Sequence, residues 1–143
     1  MPTLLEQVQA GTFPDPAVAR TVGFQLVSLE RGRSQFTMVV DPARHANPMG
    51  TLHGGVLCDL ADAAMGMAYA STLAEGESFT TLELKVNFLR PVWRATLTAV
   101  GQLVHGGRTA GVAECRVTDE RDRLIAVATS TCLTLRGEQA AGR

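Results

Sequence analysis

The chain has 143 residues, 45% of them hydrophobic and 19% charged, with a formal net charge of −1 at pH 7. That length supports one domain with a real core and is too short for two. The near-neutral balance, with no long basic run, argues against nucleic acid as a partner.

Three cysteines, Cys58, Cys115 and Cys132, cannot make a complete disulfide set, and their spacing fits no zinc motif. Free thiols in a reducing compartment are expected. No basic segment followed by a long apolar stretch opens the chain, and Asp59 and Asp62 break its longest apolar run. A cytoplasmic protein without a membrane span is therefore expected, as a single domain over residues 1–143.

Along the chain, "PTLLEQVQA" predicts a short helix within residues 1–20, stopped by Gly11 and Pro14. "VGFQLVSLERGRSQFTMVV" predicts two strands that turn between Glu30 and Arg33. "DPARHANPMGTLHGG" reads as a loop. Helical spacing runs from Gly54 to Thr72, with apolar residues on nearly every face, so cover on nearly every face is expected. In "TLELKVNFLRP" the apolar Leu82, Leu84, Val86 and Phe88 alternate with polar residues, a strand that Pro91 ends or bends. Three more strands follow, turning near Gly106–Gly107 and Asp119–Asp122, and the tail 137–143 is expected to fray. Short turns between strands imply an antiparallel sheet, and its open edges favour a second copy of the chain.

"GTLHGG" opens the long helix. The first N–H groups of a helix lack internal partners and carry partial positive charge. Gly54 and Gly55 have no Cβ, so a ligand can come close to their backbone. The motif fits a site for a developing oxyanion. Taken alone, it fits a glycine-rich loop that simply enters a helix at least as well. Asp59 lies in the first turns, where a carboxylate stabilises the helix. Asp62 lies deeper, among Ala61, Ala63, Ala64 and Met65. A carboxylate buried there without a partner is costly, which suggests function. An exposed stripe or a bond to a loop would also account for it. His45, His53 and Asp62 could be drawn as a metal site, but no metal-ligand spacing supports one, and no G-x-S-x-G elbow is present.

"HANPMGTLHGGVLCDLADAAMGMA" followed by "TLELKVNFLRPV" resembles the hotdog-fold thioesterases of the PaaI-like group, which are related to the 4-hydroxybenzoyl-CoA thioesterases of the Arthrobacter type. The resemblance covers residues 22–135. It implies an α+β hotdog fold, a curved antiparallel sheet wrapped round one long helix. It implies hydrolysis of acyl-CoA thioesters by a homodimer or dimer of dimers. No metal or other cofactor is implied, and coenzyme A enters as part of the substrate. Carried over by position, Asp62 matches the catalytic carboxylate and Gly54 the glycine whose N–H polarises the thioester carbonyl. Asn47 matches the loop amide that places thioester or water, and His53 the histidine that supports the loop. Thr81, or Thr80 beside it, falls where some relatives carry a serine near the attacking water. Gly55 would border the substrate, and Arg90 and Arg108 are candidates to meet the phosphates of coenzyme A. Met65, Met67 and Tyr69 would line the acyl pocket. In the resembled family the oxyanion glycine and the carboxylate of one site come from different subunits. Two other readings stay open: a hotdog acyl-CoA hydratase or dehydratase, and an acyl-CoA binding module without turnover.

Overall fold

The computed structural model describes residues 2–143. Helix α1 (Leu4–Gln9) starts at Thr3, whose hydroxyl accepts from the Glu6 N–H while the Glu6 carboxylate accepts from the Thr3 N–H. This reciprocal cap satisfies two donors that the helix cannot. A second short helix, α2 (Ala17–Val22), was not expected from the sequence. Pro14 and Pro16 look like breakers, yet proline tolerates a place at a helix start. Gly23 closes α2 in the left-handed conformation, at φ 96°.

Strands β1 (Phe24–Glu30) and β2 (Arg33–Val39) pair antiparallel across the expected turn. Inside the loop lies one further helical turn, α3 (Pro42–His45), which Asp41 caps by accepting from the Ala43 N–H. The long helix α4 (Gly54–Ala70) stops two residues before the expected end. Four strands follow: β3 (Ser78–Phe88), β4 (Thr96–Gly106), β5 (Ala110–Thr118) and β6 (Leu124–Leu135). In the tail, Gly137–Ala140 forms a single 3₁₀ turn. The strands make one antiparallel sheet in the order β1-β2-β4-β5-β6-β3, so β3 crosses to the far edge after α4. This is the α+β arrangement implied by the resemblance, a sheet around one central helix.

One side of α4 is fixed by burial. Leu57, Leu60, Ala61, Ala64, Met65 and Ala68 pack on Met38, Leu97, Ala99, Val117 and Ile125 of the sheet. Each large aliphatic side chain buried there contributes about 1.5–3 kcal/mol. The helix backbone comes close to β4 at Gly101, where any Cβ would collide with the Ala64 carbonyl. Ser34 Oγ donates to that same carbonyl at 2.6 Å.

The opposite side of α4 is not covered, contrary to expectation. Val56, Cys58, Asp62, Ala63 and Met67 are only partly buried, and Asp59 is exposed. A single sheet curls round one side of a helix, and the stripe it leaves open carries both aspartates. No helix among the described residues is long and apolar enough to cross a membrane.

Candidate active site

The loop ahead of α4 is held by its own side chains. Asn47 Oδ1 accepts from the N–H groups of Met49 (3.0 Å) and Thr51 (3.1 Å), and Nδ2 donates to Thr51 Oγ1 at 2.8 Å. Asn47 is thus the organiser of this turn. The His53 N–H donates to the His45 carbonyl, and the Leu52 N–H to Val92, which ties the loop to the segment after β3. His45 is buried; its Nδ1 accepts from the Asp41 N–H, so Nε2 carries the proton and donates to the Val22 carbonyl at 2.7 Å. Both its ring nitrogens are spent on structure, which removes His45 from any metal set.

His53 caps α4, with Nδ1 accepting from the Gly55 N–H at 2.8 Å. A Cβ at Gly55 would lie 2.9 Å from that same nitrogen. The Gly55 N–H is therefore engaged within the chain and is not free to donate to a ligand. Among the described residues nothing accepts from the Gly54 N–H. Gly54 is the one glycine of the pair that offers an uncommitted donor at the helix start. The Phe88 ring lies against it, 2.9 Å from where a Cβ would stand.

Eight residues along α4, Asp62 Oδ1 accepts from Thr81 Oγ1 at 3.1 Å. Thr81 comes from β3, so strand and helix together orient the carboxylate. Asp62, Thr80 and Thr81 share a cavity of about 530 Å³ between α4, β3, β1 and α2. Its far walls are apolar and include Val18, Phe24, Leu26, Phe36 and Phe79. Asp59 also lines it, so this residue borders the site as well as the first turns of the helix. Of the three residues expected in the acyl pocket, only Met67 reaches the cavity. Met65 and Tyr69 point elsewhere, fully buried in the interior. The walls from α2 and β1 carried no sequence signal, because nothing in a short helix announces where it docks.

Gly54 belongs to a different cavity of about 460 Å³, shared with Asn47, Phe88 and Arg90. Arg108 lies in a third, with Arg31, Glu77 and Arg136, near the C-terminal end of α4. Within one chain the sequence-predicted residues therefore fall into three groups: Asp62 with Thr80 and Thr81, Gly54 with Asn47 and Arg90, and Arg108 apart. His53 belongs with the second group through the helix start.

All three cysteines are free. Burial pushes the Cys58 thiol up, helped by the charges of Asp59 and Asp62. Burial takes Cys115 to about 12 and raises Cys132, which also feels Asp62. None is a thiolate at neutral pH, so none is an activated nucleophile.

The model of the thioesterase superfamily matches residues 49–126, more than half of the chain and the stretch from the glycine loop to β6. The chain belongs to the thioesterase superfamily. As a thioesterase it is a thioester hydrolase, and its hotdog architecture is that of its relatives. It is 32% identical to the 1,4-dihydroxy-2-naphthoyl-CoA hydrolase of Listeria monocytogenes, over 78% of this chain and 89% of the relative. It is 31% identical to the acyl-coenzyme A thioesterase PaaI of Escherichia coli, over 80% of each. Among solved structures, the Escherichia coli PaaI protein superposes with a TM-score of 0.82 at 27% identity, covering 92% of this thioesterase and 93% of the other chain.

Proposed function

We propose that this thioesterase hydrolyses acyl-CoA thioesters carrying an aryl or medium-length acyl group, in a site that two copies of the chain complete together. The observation that carries the reading is the separation of its two halves. Asp62, held by Thr81, stands at an apolar cavity. The uncommitted Gly54 N–H stands in another. Eight helical residues span about 12 Å, too far for both groups of one chain to meet one carbonyl. Two α4 helices running antiparallel across a two-fold axis bring Gly54 of one against Asp62 of the other. The names of the relatives support coenzyme A as the thiol.

In this reading the acyl group fills the apolar cavity and its carbonyl oxygen meets the Gly54 N–H at the positive helix end. Asp62 supplies the attack, by deprotonating a water or through its own carboxylate oxygen. The C–S bond breaks from the tetrahedral intermediate and coenzyme A leaves as the thiolate; the water route yields the acid at once, and the carboxylate route yields a mixed anhydride that a water then cleaves to release the acid. Loss of one oxyanion donor typically costs about 3–4 kcal/mol of barrier. Thr81 and His53 are positioning residues: one orients Asp62, the other fixes the helix start. Asn47 acts through the loop that presents Gly54. Arg90 shares the Gly54 cavity and is the better placed of the two arginines to meet a coenzyme A phosphate. Free thiols fit work in a reducing cytoplasm.

A panel of acyl-CoA substrates with a thiol reagent tests the reading. Release of free coenzyme A from aryl and medium-chain substrates is expected. A change in enoyl absorbance without thiol release would make the protein a hydratase, and saturable binding with neither would make it a binding module. Dialysis against EDTA should leave the rate unchanged, since both nitrogens of His45 and Nδ1 of His53 are already committed. A rate that falls there and returns with a divalent ion would contradict metal-free hydrolysis.

A further inference from the structure

Gly66 stands buried in the middle of α4, where a glycine weakens a helix relative to alanine. It closes no turn. It lies four residues beyond Asp62, so it occupies the same face one turn further along. It also lines the 530 Å³ cavity. A Cβ at this position would stand 3.2 Å from Cζ and 3.5 Å from Cε2 of Phe79. The missing side chain is therefore the space in which the Phe79 ring rests.

Phe79 precedes Thr81 by two residues on β3, so both project to one face of the strand. Contacts between α4 and β3 thus form two successive rungs. Thr81 reaches Asp62 at the first. Phe79 reaches Gly66 at the second. The ring cannot retreat freely, because it packs edge-on against Tyr69 with centroids 5.6 Å apart. Tyr69 is buried, and its hydroxyl is bonded to Thr134 Oγ1 at 2.6 Å. Room taken at position 66 must then come from the cavity side.

We propose that Gly66 and Phe79 together set the breadth of acyl group that the cavity admits, immediately beyond the reacting carbonyl. The inference rests on the acyl-CoA reading of the site and adds its specificity determinant. Glycine at 66 lets the ring lie back and keeps the cavity wide enough for a ring-bearing acyl group. A methyl at 66 pushes the ring into the path of a wide group and leaves a narrow one unaffected. Removal of the Phe79 ring reverses that effect.

Binding and turnover are measured in parallel on wild type, Gly66→Ala, Phe79→Ala and the double variant. The binding probes are two non-hydrolysable thioethers, S-ethyl- and S-phenylethyl-coenzyme A; the substrates are acetyl-CoA and phenylacetyl-CoA. Gly66→Ala should weaken the wide thioether at least fivefold relative to the narrow one, with the same bias in kcat/KM and no loss of melting temperature. Phe79→Ala in the same chain should restore the wild-type ratio. A merely structural role for Gly66 would move both probes together, and an unchanged ratio in both single variants overturns the proposal. If the variants shift thioether selectivity while wild type hydrolyses neither substrate, the gauge stands and the hydrolase reading of the site falls. A wild type that binds neither thioether overturns both.

Discussion

Asp62 has one oxygen on the Thr81 hydroxyl, and among the described residues its second has no side-chain partner. That is a carboxylate kept oriented and available. Asp62→Asn should lower kcat by about 10²- to 10⁴-fold, the usual worth of a general base, while the melting temperature holds. Asp59→Asn, at an exposed position on the same cavity, should leave kcat within a few-fold. Equal losses in the two variants would contradict the assignment. At this scale the sequence was informative where a residue broke its surroundings. An aspartate among alanines stands out, and so does a glycine pair at a helix start. It was silent where a residue conforms. Gly66 sits in an apolar helix without any mark, and its use is visible only from the Phe79 ring above it. Met65 and Tyr69 were placed in the pocket because apolarity alone does not say which way a helix is rotated. The same blindness hid the state of Gly55, since only coordinates show that His53 has already taken its N–H.

Short elements behave differently from long ones. The strands and α4 were legible because their periodicity extends over many residues. Helices α2 and α3 were missed because one or two turns leave too few residues for a period to emerge, although Asp41 and Pro42 form a proper cap and first position. The β5–β6 connection is set by Asp119. Its Oδ1 accepts from the N–H groups of Arg121 and Arg123, and its Oδ2 from the Arg123 guanidinium. Burial acts to raise this carboxyl, but the two N–H groups and the Arg123 charge outweigh it and hold it below its ordinary value. A depressed carboxyl stabilises the fold above its unfolded value, about 3.9, and loses that contribution as pH falls through the folded value. Asp119→Asn should therefore melt below wild type at pH 5–8, and the gap should close as the pH drops under about 4. A gap that does not narrow as the pH falls below about 4 would contradict this account. Core packing gives a second check on the elements. Leu60 is wholly buried between α4 and the sheet, and Leu60→Ala should cost about 2–5 kcal/mol in denaturant unfolding.

For the whole molecule, the far edge of the sheet decides the account. Strand β3 has eleven residues, pairs among the described residues only with β6, and leaves Leu82 and Phe88 more than half exposed at 60% and 55%. A long apolar edge beside an open helix face is a surface that a second copy would cover. The alternation of Leu82, Leu84, Val86 and Phe88 was plain in the sequence, but not what its apolar face covers: Leu84 and Val86 pack against the chain's own core, while Leu82 and Phe88 stay exposed. Sequence periodicity does not distinguish a chain's own interior from a partner's. The most direct test mixes two damaged chains. Asn47→Ala disorganises the loop that presents Gly54, and Asp62→Asn removes the carboxylate; each alone should be nearly inactive. Refolded together in equal amounts, about half of the dimers are mixed, and each mixed dimer holds one intact and one doubly damaged site. A site shared between chains predicts recovery to about a quarter of wild-type hydrolysis. Activity that stays at the level of the parents, with mixed dimers confirmed by native mass spectrometry, would contradict it.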